Sequence, residues 1–145
     1  MSNVERRVRV EWEGSLADGG GPLSLGSNGI LRGSPVTWAS CVERSDGKTS
    51  PEELVAAAHA SCYAMALSLT LSEKGSDPER PAVGATCVLD GEEVGITTAD
   101  LEGRGAVPGL GAEEFRKMAE EAEKLCPVSN ALKGNVEMGP DARLA

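Results

Sequence analysis

Four cysteines and one histidine hold most of the chemistry open to this 145-residue chain. Cys41, Cys62, Cys87 and Cys126 include no C-x-x-C pair and no spacing of the zinc-ligand kind, so a structural metal site is not expected. What remains is thiol chemistry, in which the thiolate is the nucleophile. In a reducing compartment a lasting disulfide is not expected, so a pair that does form is redox-active rather than architectural. Cys126 stands directly before Pro127, where a short helix should begin. A thiol there faces unsatisfied N–H groups and the positive end of the helix dipole, so electrostatics nominates Cys126 as the more acidic cysteine. Cys62 sits within an apolar run and, taken alone, reads as a small buried hydrophobe with a raised thiol pKa. His59, three residues earlier, suits either a thiol–imidazole pair or a hydrogen-bonded structural role. Cys41 and Cys87 fall on expected strands and read as packing residues.

The element that must position Cys62 is a helix. Ser50 can cap it, Pro51 suits its first position, and Glu53 completes a capping box. From Leu54 to Leu71 the chain is apolar on nearly every side, with no Lys or Arg before Lys74, which predicts a core helix ended by Gly75. Glu52, Glu53, His59 and several small polar residues favour a soluble core helix over a membrane span. The element that must position Cys126 is the junction after a second helix beginning at Ala112. There Ala112, Phe115, Met118, Ala119, Ala122 and Leu125 form one stripe, with Glu113/Lys117 and Glu120/Lys124 pairs on the wet face. Pro127 breaks this helix and restarts a short one over 127–132, capped by Cys126 and stopped by Gly134.

The remaining segments read as strands. Val8, Val10 and Trp12 alternate with Arg7, Arg9 and Glu11, the period of a half-buried strand. The glycines of 18–22 make a turn into a short strand at 23–25, and 29–33 is a weak strand or loop. A better strand is expected over 35–42, closing an antiparallel meander. Segments 83–89 and 94–101 flank Asp90-Gly91-Glu92-Glu93 as a hairpin, 103–111 reads as a glycine-rich loop, and 135–138 as a last strand. No internal repeat or low-complexity tract is present.

The formal charge of −9 opposes binding to a phosphate backbone, so nucleic acid is not an expected partner. Residues 1–13 alternate charge and valine rather than joining a basic start to an apolar run, so a cytoplasmic protein is expected, with no membrane partner. Only four residues are aromatic, Trp12, Trp38, Tyr63 and Phe115. Such a thin, alanine-rich core would gain from burying a face against a second copy, which favours a dimer.

Three stretches resemble the OsmC/Ohr family, the osmotically inducible and organic hydroperoxide resistance proteins. They are Thr49-Ser50-Pro51-Glu52-Glu53-Leu54, Ala57-Ala58-His59-Ala60-Ser61-Cys62 continuing to Ser68, and Cys126-Pro127-Val128-Ser129-Asn130-Ala131-Leu132. Trp12-Glu13-Gly14 and Val107-Pro108-Gly109 also fit, nearer the OsmC branch. The resemblance spans nearly the whole chain and implies a single α+β domain over 1–145, with antiparallel sheets around a long buried central helix in an intertwined homodimer. It implies a thiol-dependent peroxidase for organic hydroperoxides, and for hydrogen peroxide less efficiently, with no metal or organic cofactor. Cys62 would be the peroxidatic thiolate and Cys126 the resolving thiol, reset by an external dithiol or lipoyl-type reductant. Glu52 would hold an arginine that keeps Cys62 anionic. The chain departs from the pattern by placing Cys41 where that arginine usually stands. Arg44 is the nearest substitute, ahead of Arg32, Arg7 or Arg9, and Cys41 becomes a possible extra resolving thiol. The departure also motivates a second reading, a catalytically weak scaffold that binds a small apolar ligand or partner at the dimer interface.

Overall fold

The computed structural model describes residues 3–25, 32–43, 45–76, 79–92 and 95–144. They form two compact units, Met1–Pro51 and Glu52–Ala145.

In the first unit, β1 (Val8–Val10), β2 (Gly21–Leu25) and β3 (Arg32–Val36) form an antiparallel sheet in the order β1-β2-β3. Val8 faces Leu25 and Val10 faces Leu23, so the expected meander is present. Its tight turn depends on glycine, because a Cβ on Gly19 would lie 2.3 Å from the Ser15 carbonyl oxygen. The alternating face of β1 is open, however, with Val8, Val10 and Trp12 all exposed. Alternation says which residues share a face, and the described residues of the first unit supply no second layer to cover this one.

The strand expected over 35–42 is half wrong. After β3 ends at Val36 the chain turns into a helix, α1 (Trp38–Val42). Thr37 caps it: its Oγ1 accepts the Ser40 N–H at 3.1 Å, while Ser40 Oγ accepts the Thr37 N–H at 3.0 Å. The reciprocal cap satisfies two otherwise unpaired donors and overrides the strand preference of Val36, Thr37, Trp38 and Val42. Cys41 therefore stands on a helix.

The second unit is built on α2 (Pro51–Glu73), which starts at the expected proline. It ends in a Schellman motif, with Ser76 N–H donating to Leu71 O at 2.9 Å, Gly75 N–H donating to Ser72 O at 3.0 Å, and Gly75 at φ +75°. β4 (Glu79–Asp90) and β5 (Gly95–Ala106) form the expected hairpin, but β5 runs through Gly103 and Gly105, which were expected in a loop. Ladder pairing with neighbours on both sides outweighs the weak strand preference of glycine there. After α3 (Ala112–Leu125) and α4 (Pro127–Leu132), β6 (Glu137–Leu144) returns beside β5, giving the order β4-β5-β6. β6 is longer than expected and parallel to β5, so this sheet is mixed rather than antiparallel.

The core joins Tyr63, Leu67 and Leu71 of α2 to Leu101 of β5, Phe115, Ala119 and Ala122 of α3, and Cys126. An added Cβ on Gly103 would stand 3.6 Å from the Tyr63 ring, so α2 lies close over β5. One face of α2 is buried, while Met65 and Leu69 on the opposite side are 67% and 53% exposed.

Candidate active site

The two elements predicted to carry the reactive thiols meet. Cys126 closes α3 and caps α4, with Pro127 at the first helical position as expected. Its Sγ accepts the Ser129 N–H at 3.4 Å, and its side chain is wholly buried. Cys62, half-buried on α2, lies close enough to the Val128 backbone N–H and to Cys126 for both to act on its thiol. Both sulfurs thus lie against the first turn of α4, although 64 residues separate them in sequence.

Burial pushes the Cys62 thiol up from its ordinary value, and the nearby Cys126 adds to that rise. The Val128 N–H acts in the opposite direction because it stabilises the thiolate. Among the described residues no cation contributes to the Cys62 shift.

His59 does not form the thiol–imidazole pair. It is wholly buried and its Nε2 lies 2.7 Å from Ser129 Oγ, with burial lowering its pKa and holding the ring neutral. Among the described residues its Nδ1 has no hydrogen-bond partner. Ser129 is the site residue that inspection of the sequence missed. Nothing local marks it apart from its place three residues after the capping cysteine.

Glu52 lies in the first turn of α2, ten residues before Cys62, which is about 15 Å along a helix axis. Its charge reaches Cys87 on β4, where burial first and Glu52 second push the thiol up. Of the candidate arginines, Arg44 lies outside the described residues. Arg7 pairs with Glu5 and Arg9 with Glu11, each at 2.7 Å and exposed, and Arg32 is exposed on β3. Cys41 lines an apolar pocket of about 400 Å³ in the first unit, together with Trp12, Leu16, Val36, Trp38 and Pro51.

The fold is that of the organic hydroperoxide resistance proteins. The solved structure of one from Elizabethkingia anophelis superposes with a TM-score of 0.77 at 23% identity, covering 100% of both chains. An OsmC-like protein from Mycoplasma pneumoniae superposes at 0.78 with 12% identity, covering 99% of each. The family model described as OsmC-like protein matches residues 44–140, and the chain belongs to that family. It is 37% identical over 137 residues to a protein named peroxiredoxin OsmC from Escherichia coli strain K12, covering 93% of this chain and 94% of the relative. It is also 31% identical over 91 residues to the organic hydroperoxide resistance protein of Xanthomonas axonopodis pv. citri, covering 62% of this chain and 63% of that one. These relatives support a peroxidase-family role.

Proposed function

We propose that this protein is a thiol-dependent peroxidase that reduces organic hydroperoxides, and hydrogen peroxide less efficiently, in the cytoplasm. The observation that carries the reading is the contact between Cys62 and Cys126 against one helix turn. Cys62 thiolate attacks the peroxide, the O–O bond breaks, and the alkoxide takes a proton to leave as alcohol, giving Cys62 sulfenic acid. Cys126 then attacks that sulfur, forming S–S and breaking S–O, and the oxygen leaves as water. An external dithiol or lipoyl-type reductant restores both thiols by exchange and is itself oxidised.

The thiolate needs a stabilising cation, since burial alone holds Cys62 protonated. An arginine held by Glu52 would supply it, with Arg44 the first candidate and Cys41 as a supporting thiol. Ten residues of helix separate Glu52 from Cys62, so the glutamate serving one Cys62 belongs to a second copy. This favours an intertwined homodimer in which the exposed valines of β1 and the open face of α2 are covered.

The test is consumption of cumene hydroperoxide with a dithiol donor, followed by peptide mapping. Turnover lost in Cys62→Ser and a 62–126 crosslink in wild type support the proposal; equal turnover in both proteins refutes it. A second reading is favoured by the raised Cys62 thiol and by Cys41 at the usual arginine position. In it the protein is a scaffold that binds an apolar ligand or partner. Alkylation of Cys62 with a midpoint above that of free cysteine, together with no peroxide turnover, would select this alternative.

A further inference from the structure

A hydrogen-bonded path joins His59 to the resolving sulfur. His59 stands one helical turn before Cys62 on α2, and its Nε2 meets Ser129 Oγ at 2.7 Å across 70 residues of sequence. Ser129 gives its backbone N–H to Cys126 Sγ, and the N–H of the neighbouring Val128 lies where it favours the Cys62 thiolate. Six residues make α4 too short to persist on its own hydrogen bonds, so its orientation comes from what anchors it. Asn130 Nδ2 donates to Lys124 O at 3.1 Å, which ties α4 back to α3. The His59–Ser129 bond instead ties α4 to α2, the helix that carries Cys62.

The ring state supports an anchoring role. A neutral imidazole holds one N–H, and placing it on Nδ1 would leave a buried donor without a partner. The favoured tautomer therefore carries hydrogen on Nε2 and donates to Ser129 Oγ, leaving only a lone pair unmatched at Nδ1.

We infer that His59, acting through Ser129, is a positioning residue for the resolving step: it fixes the first turn of α4 so that Cys126 reaches the oxidised sulfur of Cys62. The inference rests on the peroxidase reading above. Of the two cysteines, peroxide attack uses only Cys62, whereas S–S formation needs two sulfurs on different elements to meet. Loss of the tie should therefore slow the second step more than the first, which loses only part of the help that the Val128 N–H gives the Cys62 thiolate. A misplacement of roughly 1 Å in a reacting pair costs up to about a hundredfold in rate.

The experiment uses Ser129→Ala, which removes one buried oxygen, with His59→Leu to break the tie from the other side and His59→Gln to keep a donor near Nε2. In Ser129→Ala, 62–126 crosslinking is expected to slow by about ten- to a hundredfold and Cys62 oxidation by a smaller factor. Dimedone-reactive sulfenic acid should then accumulate at Cys62 and pass to sulfinic acid under excess peroxide. His59→Gln should recover much of the crosslinking rate that His59→Leu loses. Diamide supplies a second readout, because it joins two thiols without peroxide and is reduced to its hydrazine. If wild type does not turn over peroxide, the functional reading fails, and diamide crosslinking still reads the tie. Crosslinking in Ser129→Ala as fast as wild type with both oxidants overturns the inference and leaves the peroxidase reading standing.

Discussion

Replacing Cys126 by serine and by alanine separates its two structural contributions. The sulfur caps α4 by accepting the Ser129 N–H at 3.4 Å, and it fills space in the core among Phe115, Ala119 and Ala122. Alanine removes both. Loss of an N-cap costs about 0.5–2 kcal/mol, and a weak sulfur acceptor belongs at the low end. The vacated volume, comparable to one methylene, adds about 1 kcal/mol. The expected loss for Cys126→Ala is about 1.5–2 kcal/mol, or roughly 5 °C in Tm for a chain of this size. Serine gives up apolar burial but presents a stronger acceptor to the same N–H, so Cys126→Ser should lose under about 1 kcal/mol. Urea and thermal unfolding in excess reductant, at one fixed protein concentration, measure both variants; the concentration is held because self-association would add its own stabilisation. A serine variant as unstable as the alanine variant refutes the capping argument. Neither variant can form the 62–126 crosslink, so function does not distinguish them.

The core makes further predictions. Leu67 is wholly buried and faces β5 near Gly103, which has no side chain to move into a void, so Leu67→Ala should cost about 3–4 kcal/mol by urea unfolding. A loss below about 1 kcal/mol would show that the site collapses freely. Tyr63 donates to Ala119 O at 3.1 Å, and burial pushes its phenol well up. Because the α3 ladder also uses that carbonyl, Tyr63→Phe should lose only about 0.5–1.5 kcal/mol, and a loss of several kcal/mol would point to another role for the hydroxyl. His59 titrates lower in the folded chain than its ordinary 6.5. Below about pH 6.5 the unfolded chain therefore binds the extra proton first. This contribution to stability is complete above that pH and is lost as pH falls toward the folded value. His59→Gln should flatten that part of the profile in pH-dependent unfolding; an unchanged slope would mean that another group governs it.

Local chemistry made several elements readable from the sequence. Pro51 and Gly75 bound α2 because one fits a first helical turn and the other tolerates positive φ. Cys126-Pro127 marked the restart of a helix for the same kind of reason, and Thr37 with Ser40 held a capping signal that strand propensity hid. Those features depend on residues within a few positions of one another. Tertiary structure alone decided which face of α2 is buried, that β6 runs parallel to β5, and that His59 bonds Ser129 rather than Cys62. It also brought Cys62 to Cys126. Each of these turns on contacts between distant segments, and periodicity reports only that a side chain shares a face with its neighbours, never what that face will meet.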